Sequence, residues 1–204
     1  MIAATMTVPD SIEMIAGSCG VAAEKGQARA EFTTIGVGGP CEWVLRPDTI
    51  EAMGRLLAEL KRAGLRALVV GGGANVIGGP GPVMDPIILP RGIKPGPIFE
   101  ATRARAGCGV VIKKLVGECV RRGLGGLEFA EGIPGTVGGT VIMNAGSYGG
   151  QMSDVVREVA YFDAAGVLHR RAVAPGDFAY RKSPFIAGEV IVEVVYQLTP
   201  ADPA

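Results

Sequence analysis

The chain has 204 residues, of which 48% are hydrophobic and 20% charged, and its 20 basic residues balance its 20 acidic ones. This length and composition are typical of a globular protein with one large domain or two small ones. The zero formal charge and the lack of a basic stripe argue against a nucleic-acid partner. No apolar run approaches the roughly 20 residues of a membrane span, and no secretory signal opens the chain, so we expect a cytoplasmic protein.

The cysteines and the single histidine form no metal-site or disulfide pattern. No C-x-x-C pair occurs among Cys19, Cys41, Cys108 and Cys119. His169 has no Cys, Asp or Ser at a motif spacing, so it is interpreted as an ordinary strand residue. We therefore expect no metal, no disulfide scaffold and four thiols that act as small core residues.

The first third of the chain predicts an α/β unit. Residues 1–30 carry few signals beyond a short helix over 11–16 and are interpreted as an N-terminal extension. A glycine-containing loop then leads into a strand over 41–45. The clearest helix spans 48–64, with Asp48 or Thr49 as its cap and Gly64 at its end. Its apolar residues recur at helical spacing: Met53, Leu56, Leu57 and Leu60.

A second strand, predicted over 65–70 and buried, leads directly into a glycine-rich loop. The loop consists of Gly71, Gly72, Gly73, Ala74 and Asn75. Three glycines after a strand can form a nest of backbone N–H groups that suits a pyrophosphate, and Asn75 can add a side-chain donor. A plain tight turn is the alternative, because glycine runs commonly mark turns.

The middle of the chain continues with a link, a strand and a helix. Residues 76–100 are rich in proline, which cannot donate to a sheet ladder, so we interpret them as edge or loop. A strand is expected over 101–106. A helix is expected over 110–123, because its apolar residues fall on one face: Ile112, Leu115, Val116, Cys119 and Val120.

Glycine is concentrated in residues 124–150, between apolar residues that suit a packed core. Clustered glycines allow backbone N–H groups to approach a ligand closely. The pattern therefore indicates a folded backbone shaped around something flat or anionic, with a set of ordinary turns as the alternative.

The last part of the chain predicts β-structure. A hairpin is expected from strands over 155–163 and 167–173, joined by residues 164–166. Residues 178–183 form an exposed polar turn, and residues 189–198 form a long final strand.

Several segments together resemble one family. The run GLEFAEGIPGTVGGTVIMNAGSYGG is similar to the flavin-binding signature of the UDP-N-acetylenolpyruvoylglucosamine reductases, also called UDP-N-acetylmuramate dehydrogenases. Residues 34–40 fit the T-x-x-x-G-G-P element of that family, although Gly36 stands where a larger residue is usual. Residues 71–75 fit its Gly-Gly-Gly-Ser-Asn loop, with Ala74 in place of Ser. The resemblance covers residues 33–198.

The resemblance implies a fold and a cofactor. The fold would be an α+β, two-lobed FAD-binding domain of the vanillyl-alcohol-oxidase/PCMH type, with lobe 1 over residues 31–90 and lobe 2 over 91–204. FAD would lie between the lobes, with its pyrophosphate on residues 71–75. The implied cofactor-binding residues are Gly71, Gly72, Gly73, Ala74, Asn75, Ile133, Pro134, Gly135, Thr136, Gly138, Gly139, Asn144, Ala145 and Gly146.

The resemblance also implies a reaction of peptidoglycan precursor synthesis. NADPH would reduce the flavin, which would then reduce UDP-N-acetylglucosamine enolpyruvate to UDP-N-acetylmuramate. The Tyr-Arg-x-Ser motif of the family falls on residues 180–183. Arg181 would then be catalytic, because its fork of donors suits the substrate carboxylate. Tyr180, Arg181 and Ser183 would bind substrate.

One part of the family pattern is not found in these 204 residues. Family members carry a third, C-terminal domain that binds the UDP-sugar and supplies a Ser proton donor and a Glu. We therefore expect either a partner chain in its place or a reductase that is incomplete as this chain. The alternative is an FAD-binding protein on the same scaffold, with another redox or carrier role and no UDP-sugar reductase activity.

Overall fold

The structure is a computed structural model that describes residues 8–201, with side chains from residue 11 onward. Its helices and strands fall into two groups, one before and one after residue 90. The elements in chain order are α1 (Val8–Cys19), β1 (Ala22–Lys25), β2 (Trp43–Arg46), α2 (Ile50–Arg62), β3 (Leu68–Val69), β4 (Ile87–Ile88), β5 (Ile98–Glu100), β6 (Arg103–Gly107), α3 (Ile112–Arg121), β7 (Leu124–Gly125), α4 (Val137–Ile142), β8 (Gly146–Ser147), β9 (Gly150–Gln151), α5 (Met152–Val155), β10 (Val156–Phe162), β11 (Leu168–Ala172), β12 (Val190–Gln197) and β13 (Thr199–Pro200).

The first lobe is built on a four-stranded sheet with the order β1-β2-β4-β3. β1 pairs antiparallel with β2, whereas β2, β4 and β3 are parallel. α1 packs against α2, so the segment interpreted as an extension contributes both a helix and a strand to this lobe. α2 confirms the predicted helix, because Thr49 caps its start by accepting the Ala52 N–H at 3.0 Å and Gly64 follows its end at φ +69°.

The predicted buried strand over residues 65–70 is wrong in both length and burial. Only Leu68 and Val69 form β3, and their side chains are 49% and 40% exposed. β3 is an edge strand of its sheet, and both residues line a cleft. Apolar sequence here therefore marks the wall of a binding cleft instead of the core.

The interpretation of residues 76–100 as edge or loop is wrong for β4. β4 lies inside the first sheet, between β2 and β3, and both of its residues are buried. Pro86 and Pro90 stand outside this two-residue strand, so neither interrupts its ladder. The prolines limit the strand to two residues without moving it to the edge.

The second lobe is built on a five-stranded antiparallel sheet with the order β11-β10-β12-β6-β5. The predicted hairpin and final strand are confirmed by β10, β11 and β12. α3 confirms the predicted helix, although Val120 is exposed instead of lying on the buried face. The glycine-rich stretch folds into short elements around α4, which packs against β12.

One large buried cluster extends over both lobes, and a second, smaller cluster lies within the first lobe. A Cβ at Gly54 of α2 would lie 2.8 Å from the ring of Phe162 in β10, so a glycine allows the close contact between helix and strand. All four cysteines are free and buried, as expected of core residues. None of the helices between residues 8 and 201 has the length and apolarity needed to cross a membrane.

Candidate functional site

A cleft of about 990 Å³ opens between the two lobes. This volume lies at the upper end of the roughly 300–1,000 Å³ typical of ligand sites. Its walls come from the end of α2, from β3 and the loop after it, from residues 133–146 and from residues 185–191. The cleft is therefore shaped by loops that follow strands of both sheets.

The loop of residues 71–75 forms one wall with its backbone donors free. Within the described part of the chain, none of these five consecutive N–H groups donates to a protein acceptor. Because unpaired backbone donors are costly when water is excluded, such a loop favours an anionic ligand that accepts from them. The free donors therefore favour the interpretation of the glycine run as an anion-binding nest over that of a plain tight turn.

The same loop packs edge to edge against the loop of residues 133–139. A Cβ at Gly71 would lie 2.8 Å from Thr136 Oγ1, and one at Gly72 would lie 2.7 Å from Gly135 Cα. A Cβ at Gly73 would collide with the Phe32 carbonyl oxygen, and Gly73 has φ +73°. Side chains would force the loops apart, so glycine is required here for packing as well as for ligand approach.

The structure brings nearly all the predicted cofactor residues together. The cleft is lined by Gly71, Gly72, Gly73, Ala74, Asn75, Ile133, Pro134, Gly135, Thr136, Gly138, Gly139, Ala145 and Gly146. Gly138 lets α4 approach the end of β6, because a Cβ there would lie 2.9 Å from the Cβ of Cys108, the residue after β6.

Asn144 is the predicted cofactor residue that does not line the cleft. Its side chain is buried and hydrogen-bonded to three protein groups. Nδ2 donates to Gln151 Oε1 at 3.1 Å and to the Ala179 carbonyl at 3.2 Å. Oδ1 accepts from the Ser153 N–H at 3.0 Å. The amide therefore joins the glycine-rich stretch to the turn that carries Arg181.

Of the three predicted substrate residues, only Arg181 lines the cleft. It sits in a tight turn with φ +55°, and its Nη2 donates to the Gly146 carbonyl at 3.0 Å. Tyr180 is 85% exposed and lies outside the cleft lining, and Ser183 is buried outside it. The turn thus directs the Arg181 guanidinium towards Gly146, one of the predicted cofactor residues.

The charges of the cleft favour an anion. Lys61, Arg66 and Arg181 line it, against the carboxylate of Glu189, and Arg66 also forms an ion pair at 3.5 Å with Asp85, which lies outside the lining. The cleft also contains Cys108, and burial raises the pKa of its thiol to about 12. At neutral pH this group stays a thiol, so it provides neither a negative charge nor a thiolate nucleophile.

Sequence reasoning missed several cleft residues. The segment 185–191 and the side chains of Leu57, Leu60 and Lys61 form the end opposite the glycine loops. Sequence reasoning also missed Arg91, which lies outside the cleft lining and donates to the Gly71 carbonyl at 2.8 Å. Only the position of Leu68 and Val69, one residue before the glycine loop, could have signalled a cleft wall.

Comparison with known proteins gives a consistent family. Residues 41–171 match a family model described as an FAD binding domain. A relative named UDP-N-acetylenolpyruvoylglucosamine reductase, from Geobacter metallireducens, is 36% identical over 179 residues, which cover 88% of this chain and 59% of the relative. The chain thus spans about three fifths of the length of this curated relative.

Solved structures give the same fold. A UDP-N-acetylenolpyruvylglucosamine reductase from Thermus caldophilus superposes with a TM-score of 0.74 at 32% identity, covering 90% of this chain and 64% of that one. The BBE-like 1 protein of Physcomitrella patens superposes with a TM-score of 0.69 at 16% identity, covering 93% of this chain and 44% of that one. The second likeness concerns the fold alone, and both agree with the expected two-lobed α+β architecture.

Proposed function

This chain belongs to the FAD-binding domain family, and we propose that it binds FAD in the cleft between its lobes and serves the reduction of UDP-N-acetylglucosamine enolpyruvate to UDP-N-acetylmuramate. The reductase names of the relatives support this reaction. The reductant would be NADPH, and the reaction would belong to peptidoglycan precursor synthesis in the cytoplasm.

One observation carries the cofactor proposal. The five consecutive N–H groups of residues 71–75 donate to no acceptor in the described part of the chain, and these residues line a cleft of about 990 Å³. A diphosphate is the part of FAD that suits such a nest. The loops at 133–139 and at Ala145 and Gly146 would lie against the remainder of the cofactor.

The chemistry of the protein groups follows from their position. Bound FAD would supply the hydride transfer. Arg181 would hold the substrate carboxylate and stabilise negative charge that develops beside it, because its guanidinium remains charged and presents paired donors. Tyr180 and Ser183 would assist from the same turn, and the proton donor and UDP-sugar contacts would come from a further domain or a partner chain.

A second candidate function is an FAD-binding protein with another redox or carrier role. The observation in its favour is that, of the three predicted substrate residues, only Arg181 lines the cleft. The two functions share the cofactor and differ in whether the protein reduces the UDP-sugar.

The cofactor is tested by titrating the purified protein with FAD and recording the visible spectrum and flavin fluorescence. We expect saturable binding that is lost in Gly72→Asp, because the new side chain meets Gly135 and its charge repels the diphosphate. The matched control is Gly176→Asp, at an open position where a Cβ meets nothing within 4 Å. A wild-type protein that binds no FAD would refute the proposal.

The reaction is tested on the FAD-loaded protein with NADPH and UDP-N-acetylglucosamine enolpyruvate. NADPH oxidation that depends on the UDP-sugar and is lost in Arg181→Met supports the reductase. Arg181→Met is expected to retain its FAD, which separates the two tests. Flavin reduction by NADPH without turnover of the sugar favours the second function.

A further inference from the structure

Arg91 lies behind the glycine loop and has no role in the reaction described above. It belongs to the short 3₁₀ turn Pro90–Gly92 and is half-buried. Its Nε donates to the Gly71 carbonyl at 2.8 Å and its Nη2 to the Phe32 carbonyl at 2.6 Å. It is not part of the cleft lining, so any effect it has on a ligand passes through the loop.

The two hydrogen bonds of Arg91 fix the orientation of the Gly71–Gly72 peptide in the loop. In a trans peptide the C=O of one residue and the N–H of the next point in opposite directions. Because the Gly71 carbonyl is held by Arg91, the Gly72 N–H points away from Arg91. Residues 32–34 are fixed to the same loop by a second bond, from the Thr34 N–H to the Gly73 carbonyl at 3.0 Å. The free donors are therefore oriented before a ligand arrives.

The charge of Arg91 is unbalanced in the structure. No carboxylate among the described side chains, those of residues 11–201, forms an ion pair with it, whereas Arg105 and Arg170 both pair with Glu193. Burial, and to a smaller extent the nearby Arg46, lower the pKa of Arg91. Arg91 is thus a half-buried cation without a counter-ion, and it lies directly behind a nest of N–H donors. An anion that occupies the nest would stabilise this cation.

We propose that Arg91 is a positioning residue for the diphosphate of the cofactor, which it affects by aligning the Gly71–Gly72 peptide and by supplying the positive charge behind it. The inference rests on the proposed function, because FAD is the diphosphate ligand considered. It assigns to Arg91 a share of the binding free energy that the three glycines beside it cannot provide, since Gly71, Gly72 and Gly73 have no side chains.

The test compares FAD affinity, and its dependence on salt, in the wild type, Arg91→Lys and Arg91→Met. Arg91→Met should weaken FAD binding at least about tenfold, which corresponds to about 1.4 kcal/mol. Its affinity should also depend less on salt, because one cation near the diphosphate is gone. Arg91→Lys keeps the charge but not the paired bonds, so it should fall between the two in affinity while retaining the wild-type salt dependence.

The control variant is Arg55→Met. Arg55 Nη2 also donates to a backbone carbonyl, that of Cys19 at 3.0 Å, but joins α2 to α1 away from the cleft. Arg55→Met should lower thermal stability without changing FAD affinity or its salt dependence. If Arg91→Met binds FAD as the wild type does, or loses affinity with an unchanged salt dependence, the proposal is overturned.

A second measurement separates this inference from the proposed function. If the wild type binds no FAD, the function fails, and Arg91 is tested with inorganic pyrophosphate alone. The melting temperature of the wild type should then rise with pyrophosphate and that of Arg91→Met should not. Equal shifts, or none in either protein, overturn the role of Arg91.

Discussion

At the scale of single residues, the site depends on side chains that hold loops in place. Asn144 was expected to touch the cofactor, yet its amide bonds to Gln151, Ser153 and the Ala179 carbonyl. Its backbone has φ +39°, a conformation that Asn tolerates better than most residues. We therefore interpret Asn144 as the residue that fixes the turn of Arg181 against the glycine-rich stretch of residues 124–150.

The corresponding prediction concerns Asn144→Asp. The carboxylate can still accept the Ser153 N–H, but it cannot donate to the exposed Ala179 carbonyl, so a hydrogen bond worth roughly 0.5–1.5 kcal/mol is lost. We expect faster amide hydrogen exchange in residues 179–182, measured by mass spectrometry, and nearly unchanged FAD affinity.

Asn75→Asp is the matched comparison. Asn75 is exposed in the cleft, where its Nδ2 contacts Met143 Sδ at 3.3 Å, so this variant should lose FAD affinity and leave exchange in the turn unchanged. If Asn144→Asp instead loses FAD and the turn stays protected, Asn144 is a cofactor ligand and our interpretation is wrong.

At the scale of elements, the sequence predicted a helix correctly where its apolar residues recur at regular spacing and a capping residue marks its start. α2 was predictable because its apolar residues recur at helical spacing and Thr49 caps it. The strands β3 and β4 were not, because two residues carry no period and their burial depends on the cleft and on neighbouring strands. The glycine loops were located by sequence, but the contact between them was not, since it joins residues about 60 positions apart.

The prediction at this scale is that Thr49→Ala destabilises the protein. Loss of the bond to the Ala52 N–H should cost about 1 kcal/mol. For a chain of this size that lowers the melting temperature by roughly 2–4 °C. Thr49→Ser retains the hydroxyl acceptor and should melt close to the wild type. Equal melting temperatures for all three proteins would show that the cap contributes nothing.

At the scale of the whole molecule, the cleft depends on how closely the lobes approach. The contact of Gly54 with the Phe162 ring joins α2 to β10, and the Gly166 turn packs beside it against Ala58. Sequence could predict two lobes and a glycine in a helix, but not that this glycine faces the other lobe. Only the three-dimensional arrangement connects Gly54 with the width of the cleft.

The whole-molecule prediction is that Gly54→Ala destabilises the protein although alanine favours helices by about 1 kcal/mol. Its methyl group would lie 2.8 Å from the Phe162 ring and push the lobes apart, so FAD affinity should fall as well. Gly117→Ala in α3 is the control, because its nearest contact is the flexible end of Arg121 at 3.8 Å, and it should gain stability. Chemical denaturation and FAD titration check both effects, and a stabilised Gly54→Ala would contradict the prediction.

The two sheets are also separate along the chain, and this bears on the order of events during synthesis. Every strand of the four-stranded sheet lies between residues 22 and 88, and every strand of the five-stranded sheet lies between residues 98 and 197. The N-terminal sheet can therefore close while the ribosome is still adding the other, in keeping with the folding of N-terminal units first. The loop at 71–75 is then exposed until residues 133–139 emerge to cover one side of it. The cleft is completed late, and a nascent chain acquires its capacity for the cofactor only after residues 133–139 have emerged.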